Sequence, residues 1–190
     1  YDVLVSFYKF FEDWFFDAGS ISLEEFAETF WLARGVPKSK MENASYFHNV
    51  VSWLDRKDEE GVLIVFFEDL KSDLRGQVER VAKFLSTRDV QLDDEARIEM
   101  AVERSSFKFM KDKESQFDES LSKLARNEVC GMDKYAGTTK SKVNSGTIGR
   151  GIRISDELKV KIDNKWKQIV EPATGCANYG ELRARLTSNS

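Results

Sequence analysis

One run constrains the fold more than any other: Val62-Leu63-Ile64-Val65-Phe66-Phe67. It is short, rich in β-branched residues and apolar on both faces, the pattern of a covered strand in a parallel sheet. A lone strand leaves its backbone N–H and C=O groups unpaired. The run therefore demands partner strands, yet no other segment is so clearly a strand. The rest of the chain reads mostly as helix.

Residues 3–16 set Val3, Phe7, Phe10, Phe11 and Trp14 at helical spacing, an apolar face wide enough to be mostly buried. Ser20 and Ser22 offer caps for a second helix, with Glu24 and Glu25 in its first turn and its end near Trp31. Ser45 begins a third, with Tyr46, Phe47, Val50, Val51, Trp53 and Leu54 on one side. After the strand, Val78, Val81, Ala82 and Leu85 form the i, i+3, i+4, i+7 face of a helix suited to packing on a sheet. Asp93 can cap a helix reaching about Glu103, and 117–127 looks helical. Ser155 caps a last long helix with Leu158, Ile162, Trp166 and Ile169 inward and Pro172 as its stop, and 179–186 adds a short one.

With 33% charged and 41% hydrophobic residues, the chain has the balance of a soluble globular protein. Acidic residues exceed basic ones, 33 to 29, which argues against a nucleic-acid surface. No apolar run approaches the roughly 20 residues of a membrane helix. Cys130 and Cys176 are the only cysteines and His48 the only histidine, too few for a structural zinc site. Two lone thiols suit a reducing, cytoplasmic setting, with one disulfide still open. Tyr1 is not methionine and Asp2-Val3-Leu4-Val5-Ser6 reads as the middle of an element. Residues 1–190 are therefore expected to be one domain, incomplete at its N-terminus.

Between 131 and 154 the chain turns loop-like, and Lys142-Val143-Asn144-Ser145-Gly146-Thr147-Ile148-Gly149-Arg150-Gly151 places three glycines in a polar, basic-flanked stretch. Glycine loses the most backbone freedom on ordering, so such a loop suits positive φ or close approach to another group. Backbone N–H groups bared in this way can cradle an anion.

Four segments, in order, resemble the C-terminal half of a cytosolic-type sulfotransferase that uses 3′-phosphoadenosine 5′-phosphosulfate. Asp2-Val3-Leu4-Val5-Ser6-Phe7-Tyr8 is similar to that family's DVxVSxY helix, and VLIVFFEDL over 62–70 to its VLxxxYEDL strand and turn. Ser105-Ser106-Phe107-Lys108-Phe109-Met110-Lys111 resembles TSFxxMK, and Asn144-Ser145-Gly146-Thr147-Ile148-Gly149 resembles RKGxxG. The resemblance covers essentially the whole chain. It implies a three-layer α/β nucleotide-binding-like fold, a central parallel sheet flanked by helices, of which only the mostly helical C-terminal part is present. It also implies that the phosphate-binding loop, the general-base histidine and the arginine preceding the DVxVS helix lie before Tyr1. No catalytic residue is then expected here.

The resemblance implies a donor-site set of Ser6, Ser105, Phe107, Asn144, Ser145 and Gly146. Ser6 would reach the 3′-phosphate; its alternative is a helix serine bonding its own i−4 carbonyl. Ser105 keeps the hydroxyl of the threonine position. Phe107 would stack on adenine or else be plain core. Phe67 replaces the family's tyrosine, loses the phenolic donor and reads as core. Asn144 and Ser145 replace a basic pair and bring no charge. Lys140, Lys142, Arg150 and Arg153 are substitute cations or a solvated rim. His48 matches no catalytic position.

The implied activity is transfer of a sulfuryl group to a hydroxyl or amine of a small acceptor, with no metal required, no nucleic-acid partner and no membrane segment. Phe10, Phe11, Trp14 or Phe15 would line the acceptor pocket. The family's KxxxTVxxxE dimer motif has no counterpart in 152–158, so oligomeric state stays open. The alternatives are a catalytically silent sulfotransferase-like nucleotide-binding or interaction module and an unrelated helical interaction domain.

Overall fold

The computed structural model describes residues 1–12, 14–39, 44–87, 90–118, 120–136, 143, 146, 149 and 154–188. They divide into two compact units, Tyr1–Val62 with Gly151–Ser190, and Leu63–Arg150.

The first unit opens with α1 (Asp2–Phe11). The apolar pattern predicts a helix through residue 16, but α1 stops at Phe11 and the chain turns over 12–16, where Glu12 and Phe16 form an isolated bridge. Its buried face is Leu4, Val5 and Tyr8, with Phe7 and Phe11 partly buried and Val3 exposed. The core stripe is thus rotated from the predicted one. Next comes α2 (Leu23–Phe26), whose N-cap Ser22 accepts from the Glu25 amide at 3.0 Å and which runs on as a wider π turn, Ala27–Trp31. Ser20 instead bonds the Asp17 carbonyl. Ser45 caps α3 (Tyr46–Leu54), which buries Phe47 and leaves Trp53 half exposed.

The C-terminal part of this unit is α9 (Asp156–Lys165), a π turn Trp166–Val170, α10 (Glu171–Thr174) and α11 (Tyr179–Thr187). Ser155 caps α9 as expected. Pro172, however, does not stop the helix. Proline is excluded from helix interiors because it lacks an N–H and clashes with the carbonyl four residues back. The π turn resets the hydrogen-bond ladder, and Pro172 falls in the first turn of α10, where its missing donor is not used. Gly175, at φ 68°, ends the run in the left-handed conformation typical of a helix stop. Leu158, Ile162, Trp166 and Val170 join Leu4, Phe26, Trp31 and Phe47 in one core, each large side chain contributing about 1.5–3 kcal/mol by burial. The Trp166 indole donates to the Cys176 carbonyl at 2.9 Å inside that core. Phe7 lies 4.8 Å from Phe11 and 5.4 Å from Trp31, ring centre to ring centre, in edge-on contacts.

The second unit holds α4 (Phe67–Ser72), α5 (Leu74–Leu85), α6 (Glu95–Ser105), α7 (Phe107–Asp112), a 3₁₀ turn Glu114–Phe117 and α8 (Ser120–Arg126). The strand expected over 62–67 is not formed. Residues 62–66 lie outside any helix or ladder, Phe66 has extended backbone (φ −97°, ψ 139°), and Phe67 opens α4. A strand exists only with a neighbour to bond, and no strand occurs among the described residues. The central sheet of the expected three-layer fold is therefore absent from them, and they are mostly helical. Phe67 is 54% exposed rather than core; Phe66 is the buried ring.

Successive helices pack in pairs, α4 on α5, α5 on α6 and α6 on α7. Arg75 of α5 bridges to Glu95 and Glu99 of α6 at 2.7 and 2.8 Å. Asp94, rather than Asp93, caps α6. No α5 residue is fully buried and Leu85 is exposed, so its apolar face is only partly covered.

Candidate functional site

The junction between α6 and α7 positions the aromatic residue singled out by the sequence. Ser106 ends α6 and caps α7, its hydroxyl accepting from the Phe109 amide at 3.1 Å. The helix axis is interrupted there, and Phe107 becomes the first residue of α7 with 37% of its surface exposed. It is therefore not a fully buried core residue. Ser105, the last residue of α6, is exposed beside it.

Gly146 meets that ring. Its φ is +60°, and a Cβ placed on it would lie 2.5 and 2.6 Å from Phe107 Cδ2 and Cε2. Real Cβ atoms do not approach carbon so closely, so the glycine is needed both for its conformation and for its contact. Two residues distant in sequence are thereby brought together. A second tie lies three positions earlier. Lys111, on α7, donates from Nζ to the carbonyl of buried Val143 at 3.3 Å. Val143 and Gly146 flank Asn144 and Ser145 in sequence, so α7 holds the loop on both sides of the neutral pair.

Two cations missed by the sequence reading stand at this site. The Lys71 ammonium, at the end of α4, sits over the Phe107 ring 5.6 Å from its centre. Lys111 bonds the loop while pairing with Glu114. A signal existed for both: Lys111 ends the SSFKFMK segment, and Lys71 follows VFFEDL directly. Lys108 differs, being strongly exposed and paired with Asp112, whose hydrogen bond and charge raise the ammonium pKa above its ordinary value. A partly exposed aromatic ring, a positive-φ glycine and nearby ammonium groups can together stack a base and receive an anion.

Ser6 belongs to the first unit, on the exposed side of α1. Asn144, Ser145, Lys140, Lys142, Arg150 and Arg153 lie outside the described residues. His48 has its Nδ1 2.6 Å from Ser45 Oγ, a local contact within the α3 cap. Cys130 and Cys176 are both free thiols. Among the described residues no cluster of three His, Cys, Asp or Glu side chains could hold a metal, and no helix is long and apolar enough to cross a membrane.

The sulfotransferase domain model matches residues 1–178. Human Sulfotransferase 1C2 is 26% identical over 164 residues, 85% of this chain and 51% of that protein. Human Sulfotransferase 1E1 is 27% identical over 173 residues, 91% of this chain and 53% of its own length. The 3-beta-hydroxysteroid sulfotransferase of Cavia porcellus is 33% identical over 113 residues, 60% of this chain and 36% of its own. The chain spans about half the length of these two human relatives. No solved structure matches it. With the family model covering nearly its full length, this chain belongs to the sulfotransferase domain family.

Proposed function

We propose that the protein is a sulfotransferase and that this chain supplies one wall of its site for 3′-phosphoadenosine 5′-phosphosulfate. The observation that carries this reading is the contact of Gly146 with Phe107, which joins the two segments most similar to the family's nucleotide motifs. Phe107 stacks on adenine, and the Gly146 amide, with Ser105, Asn144 and Ser145, surrounds the 3′-phosphate. Stacking of a base on an aromatic ring contributes about 1–3 kcal/mol in comparable contacts. The complete domain carries the central parallel sheet, with 62–66 as one of its strands.

In the reaction, an acceptor oxygen or nitrogen forms a bond to sulfur. The bond from sulfur to the bridging phosphate oxygen breaks, and adenosine 3′,5′-bisphosphate leaves with the electron pair. The acceptor proton passes to a base outside this chain. Charge stabilisation at the leaving oxygen and in-line placement are the demands on the protein, as in phosphoryl transfer. The similarity to a hydroxysteroid sulfotransferase and the ring cluster of Phe7, Phe10, Phe11 and Trp14 favour a flat, apolar acceptor bearing a hydroxyl, such as a steroid or phenol.

The test is release of adenosine 3′,5′-bisphosphate by the whole protein supplied with the donor and a panel of hydroxysteroids, phenols and amines. Acceptor-dependent release is the expected result. Tight binding of the bisphosphate without turnover on any acceptor would establish the silent nucleotide-binding module instead, a reading favoured by the neutral Asn144–Ser145 pair.

A further inference from the structure

Asn144 and Ser145 bring no positive charge to a loop whose proposed task is to hold a phosphate. A phosphate withdrawn from water is held best by charge-assisted hydrogen bonds. The lysines of the same unit differ in what already occupies them. Lys108 is paired with Asp112, and Lys111 is shared between Glu114 and the Val143 carbonyl. Lys71 has no carboxylate partner among the described residues; its contact is the Phe107 ring at 5.6 Å. Its ammonium thus stands beside the ring that Gly146 presses against, on the scale of one nucleotide, with its charge uncommitted.

We propose that Lys71 is a phosphate-binding residue of the donor site, its ammonium pairing with the 3′-phosphate of the nucleotide whose base lies on Phe107. This rests on the nucleotide-site reading above and extends it to a helix outside the glycine loop. Positive charge that Asn144 and Ser145 lack is then delivered from the end of α4. A lysine suits this task because its flexible stem lets the ammonium swing from ring to phosphate as the base settles.

Calorimetric titration of the whole protein tests the assignment, with adenosine 3′,5′-bisphosphate and adenosine 5′-monophosphate as the two probes. Lys71→Gln should weaken the bisphosphate by about tenfold, the usual effect of removing a charged partner, and leave the monophosphate unchanged. Lys71→Arg should keep the bisphosphate affinity. Lys71 is exposed, so circular dichroism should be unaltered in both variants. Unchanged bisphosphate affinity in Lys71→Gln, or equal loss for both nucleotides, overturns the role given to Lys71. A Phe107→Ala control separates the two failures. If Phe107→Ala weakens binding and Lys71→Gln does not, only the Lys71 assignment falls; if neither does, the nucleotide-site reading falls with it.

Discussion

Two glycines of one loop show how a single position can carry both a conformational and a packing demand. Gly146 and Gly149 both have positive φ, +60° and +67°. A side chain in that region costs about 1–2 kcal/mol. At Gly149 nothing lies near a new Cβ, whereas at Gly146 the methyl would enter the Phe107 ring. Gly149→Ala should therefore lower stability by about that conformational cost alone. Gly146→Ala should lower it further and also weaken nucleotide binding, because the loop must lift off Phe107. Denaturant melts of the two variants, with affinities alongside, check this; equal losses would mean that the ring contact contributes nothing. The glycines were legible in the sequence as positions of unusual backbone. That one of them meets Phe107 was not, because a contact between distant residues leaves no local trace and was suggested only by the family resemblance. Phe66 and Phe67 make the same point: adjacent rings are equivalent in composition, and only the start of α4 decides that Phe66 is buried and Phe67 is not.

Among the elements, helix starts were readable where a capping side chain bonds an amide two or three residues ahead. Ser22, Ser45 and Ser155 each do so, since the interaction is complete within one turn. Where two acids stand together, Asp93 and Asp94, the cap falls one residue later than read. Helix ends were less legible. Pro172 looked like a stop because an ordinary α ladder would need its N–H, and the intervening π turn removes that need. The same turn carries the Trp166 indole to the Cys176 carbonyl. Trp166→Phe keeps an aromatic ring but leaves this buried carbonyl without its donor, a loss of about 1–3 kcal/mol. The denaturation midpoint should fall with an unchanged slope. A midpoint equal to the unaltered protein's would show that the bond contributes nothing there. Strand pairing was the least legible feature. Residues 62–66 have strand composition, but no strand occurs among the described residues to pair with them, and they lie outside any helix or ladder.

At the scale of the molecule, the two units are built differently. The first has a dense aromatic and aliphatic core drawn from both ends of the chain. The second buries few large apolar side chains, with Ile98, Phe66 and Val143 the fully buried ones among its described residues, and relies on helix pairs, caps and the Arg75 bridges. Its exposed apolar groups include Phe67 and Leu85. The family was legible from four short segments because each sets chemistry-bearing side chains at fixed spacing, in the same order along the chain. Phe107, held against Gly146, is the face on which we propose that the donor's adenine rests. Titration of adenosine 3′,5′-bisphosphate into the whole protein, with Phe107 intact and as Phe107→Ala, tests it most directly. A loss of affinity of about tenfold or more, with the fold retained, is the predicted result; equal affinity in the two proteins would contradict it.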